Sequence, residues 1–410
     1  MTQPNLSSRE RSIVLIVAAV QFVNILDFMM VMPLGPDFAR ELGVPTSMMG
    51  AVGGTYTLAA ALSGVAGSFF LDRFERRKVF TWLMTGLALA TALGGFAFNL
   101  ASLLAARVLA GVFGGPATSV ALAIVTDTVP TERRGKALGV VGSSFAVASV
   151  LGVPAGLELS RLFNFRAPFF AVAALGLLVT LAARVMLPEL RAHLERPREK
   201  TGRGGSLLSP SSLLCLGGMG IVMLGVFSIV PNIATFVEFN LGYPRELLGT
   251  LYLVGGIASF IAVRLVGRAV DRFGAVSVFA FGTLLHAFAL VFGFIHPSQS
   301  LPILFVFSVF MVSGSSRMVP LQTLSTRVPE PAARARFMSA QSAVQHFASA
   351  AGAFMSSAFL AADPRGRLIG LDYVAYVALG LALAAPVVVW FVDRSLATRD
   401  ALTRLTSATG

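Results

Sequence analysis

Asp27 is an acidic residue within the apolar stretch QFVNILDFMMVMPLGPDF, which also contains Gln21 and Asn24. If this stretch is helical, the three polar side chains lie within one third of the helix circumference. An acid in such surroundings can carry a proton, because desolvation favours its neutral form and a nearby cation favours its ionised form. Asp27 is therefore a predicted proton-coupling residue. The competing interpretation is a static buried ion pair.

Arg107 lies in a second apolar segment, LLAARVLAGVFGG. An unpaired Arg inside a membrane costs about 2.5–3.5 kcal/mol, so Arg107 should have a partner. At 1.5 Å per residue, Asp27 lies about 9 Å from the outer edge of a hydrocarbon core about 30 Å thick, and Arg107 lies at about the same depth. The shared depth predicts an ion pair that takes part in proton coupling.

Further polar residues within apolar segments are candidates for a substrate cavity. They are Asn24, Tyr56, Asn232, Tyr252, Arg317, Gln341 and Gln345. His286, alone among apolar residues, is interpreted as a packed histidine.

An enzymatic function has little support in the sequence. The chain has no phosphate-binding loop of the Walker type, and its lone Cys215 and four His show no metal-ligand spacing. The sequence therefore predicts no enzyme activity, no metal and no cofactor.

The elements that position these residues follow from the composition. Charged residues are 13% of the 410-residue chain, about half the share in a soluble protein, while apolar residues are 55% and the mean hydropathy is +0.78. Only helices and closed barrels satisfy backbone groups in hydrocarbon, and the apolar runs are too long for barrel strands. The predicted fold class is an all-α membrane protein.

Windows of about 20 apolar residues can be placed twelve times. The predicted transmembrane helices cover 12–38, 47–71, 79–98, 101–127, 137–159, 168–187, 211–238, 247–269, 276–295, 301–326, 337–361 and 373–392. The first is interpreted as a membrane span and not a signal peptide, because it lacks a small-residue cleavage site.

Lys and Arg residues fix the predicted orientation. With a cytoplasmic N-terminus, the outer loops hold only six of the 32 basic residues, namely Arg40, Arg161, Arg166, Arg245, Arg365 and Arg367. This bias predicts that both termini are cytoplasmic. The net charge of +12 is then explained by anchoring to the inner leaflet of the lipid bilayer, and no nucleic-acid partner is expected.

A polar, basic segment over 188–210 interrupts the apolar pattern at mid-chain and predicts a cytoplasmic linker, with a short surface helix around 189–196. It separates an N-terminal six-helix half (1–187) from a C-terminal six-helix half (211–393), which a cytoplasmic tail (394–410) follows. A common offset of 199 positions predicts that the halves are copies, since it relates Asp72 to Asp271, Pro130 to Pro329 and Gly115 to Gly314.

The loop FLDRFERRK resembles the signature G-x-L-a-D-R-x-G-R-[KR] of the major facilitator superfamily. The matching residues are Asp72, Arg73, Arg76 and Arg77, while Ser68 and Glu75 replace the two glycines. The second-half copy keeps Gly267, Asp271, Arg272 and Gly274 but lacks the trailing basic pair. With twelve helices and a central linker, the resemblance extends over essentially the whole chain.

The resemblance implies an inner gate that latches the halves together when the cavity faces outward. Its expected members are Asp72, Arg73, Arg76, Arg77, Asp127, Asp271 and Arg272, with Asp127 as the acid that pairs with Arg73. The competing interpretation of the loop is simple positive-inside anchoring.

Two helices carry further resemblances to the superfamily. Arg107 and Gly111 fit its R-x-x-x-G pattern. The segment VLGVPAGLEL, with Gly152, Pro154 and Gly156, resembles its antiporter signature in a different order. The competing interpretation of the second segment is ordinary helix packing.

The sequence thus predicts a proton-coupled secondary transporter, a multi-pass monomer in a bacterial inner membrane. The resemblance to drug:proton antiporters and sugar-efflux permeases favours export of small amphiphilic compounds by alternating access, with a role in drug resistance. Two alternatives stay open: a facilitator or proton symporter that imports a metabolite, and a non-transporting receptor with this fold.

Overall fold

The computed structural model describes residues 6–191, 209–329 and 334–409. These residues are almost entirely helical, as the sequence predicts. Most of the predicted 188–210 linker, including most of its surface helix, lies outside the described residues.

The first part of the chain forms eight helices. They are α1 (Ser8–Val31), α2 (Gly35–Leu42), α3 (Met49–Phe70), α4 (Arg76–Gly95), α5 (Leu100–Thr128), α6 (Thr131–Val147), α7 (Val153–Leu162) and α8 (Arg166–Met186). A π-helical turn, Ala148–Gly152, joins α6 to α7, and single 3-10 turns, Thr46–Met48 and Leu71–Arg73, flank α3.

The second part begins with α9 (Pro210–Ile229), followed by short turns at Val230–Asn232, Ile233–Thr235, Phe236–Asn240 and Arg245–Leu247. The remaining helices are α10 (Leu248–Phe273), α11 (Ala275–Leu290), α12 (Ile303–Arg327), α13 (Arg334–Phe359) and α14 (Leu371–Thr409). A π-helical turn, Val291–Ile295, extends α11, and two-residue strands β1 (Ala361–Ala362) and β2 (Leu368–Ile369) pair before α14.

Ten helical segments of the described chain are long and apolar enough to cross a membrane. The helices α4 and α13 are also long, at 20 and 26 residues, but are more polar. Large apolar side chains such as Val185 and Phe98 are about three quarters exposed. So much exposed apolar surface is the expected result when a bilayer, rather than water, surrounds the helices.

The boundaries of the first and last predicted helices differ clearly from the structure. The predicted helix 12–38 ends at Val31, and α2 begins separately at Gly35. Pro33 and Pro36 account for the break, because each lacks a backbone N–H and disfavours a helical residue before it. At the other end, α14 continues through the predicted tail to Thr409, since no Gly or Pro lies between Pro386 and Thr409 to interrupt it.

The described chain divides into two compact units. The first contains 6–191 together with 231–253 and 360–368. The second contains 209–230, 254–329, 334–359 and 369–409. Part of the sequence after the predicted linker therefore packs with the first part of the chain.

Glycines set the closest helix contacts in each unit. In the first, a Cβ on Gly115 of α5 would lie 2.4 Å from the carbonyl oxygen of Ala60 on α3. In the second, a Cβ on Gly352 of α13 would lie 2.3 Å from the carbonyl oxygen of Leu224 on α9. Only glycine allows these backbones to approach so closely, as is common between membrane helices.

Candidate functional site

The predicted partners Asp27 and Arg107 lie together in the first unit. Arg107 Nη1 donates to Asp27 Oδ2 at 3.0 Å, and the two side chains are 1% and 0% exposed. The second carboxylate oxygen, Oδ1, accepts a 2.7 Å hydrogen bond from the hydroxyl of Thr91 on α4. The acid therefore joins α1, α4 and α5 and has no open path to solvent in this arrangement.

One face of α5 builds the site around this pair. Arg107, Gly111, Gly114 and Thr118 recur at helical spacing and so lie on the same face. A Cβ on Gly114 would lie 2.5 Å from the Tyr56 hydroxyl and 2.8 Å from Asn24 Oδ1. The glycine thus provides the space in which polar groups from α1 and α3 meet.

Tyr56 and Asn24 connect the ion pair to these helices. The Arg107 guanidinium lies 4.5 Å from the centre of the Tyr56 ring, a cation–π contact. The Tyr56 hydroxyl donates to Asn24 Oδ1 at 2.8 Å. Asn24 Nδ2 donates to Gly114 O at 2.9 Å and to Thr118 Oγ1 at 2.7 Å. Movement of Arg107 would therefore disturb three helices at once.

Sequence reasoning missed Thr91 and Thr118. A threonine hydroxyl in a helix often lies near the carbonyl one turn earlier, and Thr91 Oγ1 lies 2.9 Å from Leu87 O, although its one hydrogen has the closer acceptor in Asp27 Oδ1. The usable signal for Thr118 was its spacing of eleven residues from Arg107, three helical turns along the same face.

The VLGVPAGLEL segment, which resembles the antiporter signature, packs on the part of α1 that carries Asp27. A Cβ on Gly152 would lie 2.7 Å from Leu26 Cδ1, and one on Gly156 would lie 3.7 Å from Met30 Cβ. Pro154 lies near the start of α7, just after the π-helical turn. These small residues hold α7 close to the helix that bears the acid.

The inner loop differs from prediction in its pairing. Arg76 Nε donates to Asp127 Oδ2 at 2.6 Å, whereas the predicted partner of Asp127, Arg73, is exposed. The predicted Arg73–Asp127 pair is therefore wrong. Arg73 lies in the 3-10 turn after α3, whereas Arg76 opens α4, which packs along α5.

Arg77 binds the start of the predicted linker. It donates to Leu187 O at 3.1 Å and lies 3.6 Å from Glu189. The side chain of Asp72 lies outside the described residues. In the second unit, Asp271 and Arg272 end α10 with exposed side chains, and Arg272 lies 5.1 Å from the Phe273 ring centre.

The candidate cavity residues are divided between the units. Asn24, Tyr56, Asn232 and Tyr252 belong to the first, and Arg317, Gln341 and Gln345 to the second. Asn232 and Arg317 are fully buried, and Gln345 Nε2 contacts Met219 Sδ at 3.2 Å. Gln341 is buried, and its Oε1 accepts no hydrogen bond from the described residues.

An ion cluster centred on Asp37 of α2 was not predicted. Arg245 donates to both carboxylate oxygens of Asp37, Arg40 donates to Oδ1 at 2.9 Å, and Ser160 donates to Oδ2 at 2.8 Å. Arg40 also pairs with Glu238. Burial alone raises the pKa of Asp37, but the hydrogen bond and charge of Arg245, with Ser160 and Arg40, outweigh it and lower the pKa.

Long apolar helices that enclose a buried charged pair are typical of a membrane transporter. The family model described as Major Facilitator Superfamily matches residues 17–263 and 215–405. The chain belongs to this superfamily of transporters, so the resemblance seen in the sequence is confirmed and the protein is a transporter rather than an enzyme.

Several curated relatives have names that refer to drug resistance. A chloramphenicol resistance protein of Streptomyces lividans is 27% identical over 94% of this chain and 97% of its own length. A chloramphenicol efflux pump of Mycobacterium tuberculosis is 30% identical over 64% of each chain. The puromycin resistance protein pur8 of Streptomyces alboniger is 32% identical, and the match covers 62% of this chain but only 47% of that protein.

Solved structures of transporters share the fold at low identity. A D-xylose–proton symporter matches with a TM-score of 0.74 and 15% identity, covering 93% of this chain and 98% of the other. A bacterial homologue of the human lysosomal transporter Spinster matches with a TM-score of 0.69 and 17% identity, covering 96% of both. At these identities the likeness concerns the fold alone.

Proposed function

We propose that the protein is a proton-coupled secondary transporter that exports small amphiphilic compounds by alternating access. The observation that carries the proposal is the complete burial of Asp27 against Arg107 and Thr91. A buried pair of this kind is stable only while both charges remain together. If substrate draws Arg107 away, the isolated carboxylate takes up a proton. If Arg107 returns, the proton leaves.

Export, as opposed to import, is supported by the names of relatives. Both a resistance protein that aligns over nearly the whole chain and an efflux pump that aligns over part of it have names that refer to chloramphenicol. Chloramphenicol is therefore the first compound to test.

The proposal includes a membrane topology, an inner gate and an oligomeric state. Adding α4 and α13 to the ten apolar segments gives twelve spans in two six-helix halves, with both termini in the cytoplasm of a bacterial inner membrane. The inner gate is proposed at the loop between α3 and α4, where Arg76 pairs with Asp127 and Arg77 binds Glu189. The functional unit is proposed to be a monomer.

Inverted membrane vesicles test coupling and direction together. With an acidic interior, an exporter that exchanges protons for substrate should accumulate chloramphenicol inside the vesicle. Asp27→Asn keeps the size of the side chain but removes the titrating group, so accumulation should be lost. Glu158→Gln is the matched control, because Glu158 is exposed and pairs only with the exposed Arg161 among the described residues.

Two outcomes would overturn the proposal. Equal accumulation with and without the pH gradient would indicate a facilitator. Accumulation by wild type only when the gradient is reversed would indicate a proton symporter.

A further inference from the structure

Two arginines are the largest fully buried side chains in the described chain: Arg107 in the first unit and Arg317 in the second. Arg107 has Asp27 as its counter-ion. Arg317, on α12, is 2% exposed and forms no ion pair within the described residues, and its Nε has no hydrogen-bond acceptor there. The second unit therefore contains a buried positive charge that these residues do not neutralise.

The contact between α11 and α12 holds Arg317 in place. Phe279, Gly282 and His286 recur at helical spacing along α11, so they share the face toward α12. A Cβ on Gly282 would lie 2.8 Å from the backbone carbon of Ser316, so the two helices approach closely beside Arg317. The guanidinium lies 5.6 Å from the centre of the Phe279 ring, which supports the cation but cannot neutralise it.

His286 does not supply the missing negative charge. Its Nδ1 lies 2.9 Å from Ser313 Oγ, and that hydroxyl donates to Phe310 O at 2.6 Å. Because a hydroxyl has one proton to donate, Ser313 accepts from His286, whose Nδ1 therefore carries the hydrogen. An imidazole that carries this hydrogen is neutral or positively charged, so it cannot be the counter-ion of Arg317.

An unpaired guanidinium in an apolar interior is costly, since a buried charge needs a counter-charge and hydrogen-bond acceptors. Its planar fork of N–H donors matches a carboxylate or a similar oxyanion. We infer that Arg317 is a recognition site for an anionic group, a carboxylate or comparable organic oxyanion, on the transported compound.

The neighbouring aromatic rings indicate what else the ligand carries. Phe279 lies beside the guanidinium, and Phe310 lies 5.2 Å from the His286 ring. Aromatic rings pack well against other planar rings. The inferred ligand class is an aromatic or otherwise apolar organic anion.

This inference rests on the proposed transport of small amphiphilic compounds and adds an anionic group, which chloramphenicol lacks, to the preferred substrate; it does not depend on proton coupling or on export. The test is therefore a binding measurement on the full chain purified in detergent. Isothermal titration would compare 4-nitrobenzoate with 4-nitrobenzamide, which has the same shape without the charge. A charge-assisted hydrogen bond predicts that the anion binds to wild type about tenfold tighter or more.

Variants test whether Arg317 causes the preference for the anion over the amide. Arg317→Gln should abolish the preference for the anion while leaving amide binding unchanged. Arg317→Lys should keep part of the preference for the anion, because Lys retains the positive charge but lacks the planar set of N–H donors. Arg264→Gln is the control, since Arg264 is an exposed arginine of the same unit that stacks on Phe260 at 4.5 Å, and it should bind like wild type.

Three results would overturn the inference. In the first, wild type binds anion and amide equally. In the second, Arg317→Gln retains the full preference. In the third, chloride alone binds saturably to wild type in an Arg317-dependent way and excludes 4-nitrobenzoate, which would assign the site to an inorganic anion. None of these results depends on whether Asp27 couples transport to protons.

Discussion

Replacing Gly111 with Ala tests the packing that holds Tyr56 against Arg107. A Cβ at this position would lie 2.4 Å from the carbonyl oxygen of Tyr56 and 2.8 Å from Ala59 Cβ. The first separation is about 1 Å shorter than a normal van der Waals contact. Both partners are fixed to the backbone and cannot rotate away, so α3 must move away from α5.

The free-energy cost of Gly111→Ala is obtained by comparison with a glycine whose surroundings have room for a methyl group. Overpacking a close helix contact costs about 1–3 kcal/mol. Gly142→Ala is the matched control, because a Cβ on Gly142 of α6 meets nothing within 4 Å. Both substitutions gain the same helix propensity, about 1 kcal/mol, so the difference between them isolates the steric cost. Gly111→Ala should therefore be less stable than Gly142→Ala by about 1–3 kcal/mol.

Unfolding by SDS in mixed micelles, followed by circular dichroism, gives the free energies to compare. Transport in vesicles should fall in Gly111→Ala, because a displaced Tyr56 no longer supports the guanidinium, and should be unchanged in Gly142→Ala. Equal stability of the two variants, with wild-type transport by both, would refute this account of the α3–α5 contact.

Two further predictions concern the ion pairs. Asp27→Asn should destabilise the protein by about 3–5 kcal/mol, because it leaves the Arg107 charge buried and unpaired. Arg107→Gln should cost less, because Asp27 can then take up a proton, and the double variant should lose less than the sum of the two in the same unfolding assay; additive losses would contradict the pairing. The lowered pKa of Asp37 means that its ion cluster contributes stability above the ordinary carboxyl pKa of 3.8 and loses it as the pH falls through the lowered value. The stability difference between wild type and Asp37→Asn should accordingly be constant from pH 5 to 7 and shrink below about pH 4; a difference that changes near neutral pH would contradict that assignment.

The pair of Asp27 and Arg107 was predictable because helix rise is constant. Counting residues from the edge of an apolar run places both charges at one depth, and membrane energetics require a partner. The depth of a residue does not show which helices are neighbours, and the structure supplies this information. Thr91 on α4 was missed for this reason, and because an uncharged side chain does not require a partner inside the membrane.

The inner loop shows the limit of motif reasoning. The signature located the basic cluster correctly, yet the partner of Asp127 is Arg76 and not Arg73. Arg73 ends the 3-10 turn and Arg76 begins α4, and the motif does not show which of these two elements brings its arginine to Asp127. The Asp37 cluster was missed for a related reason, because its members come from segments more than 200 positions apart.

Substrate-induced proton release is the most direct test of the central claim that Asp27 couples transport to protons. The measurement adds saturating chloramphenicol to detergent-purified protein in weak buffer with a pH indicator. Wild type and Glu158→Gln should release protons, and Asp27→Asn should release none. Wild type that releases no proton, or an Asp27→Asn variant that still does, would contradict the account and remove Asp27 from the mechanism.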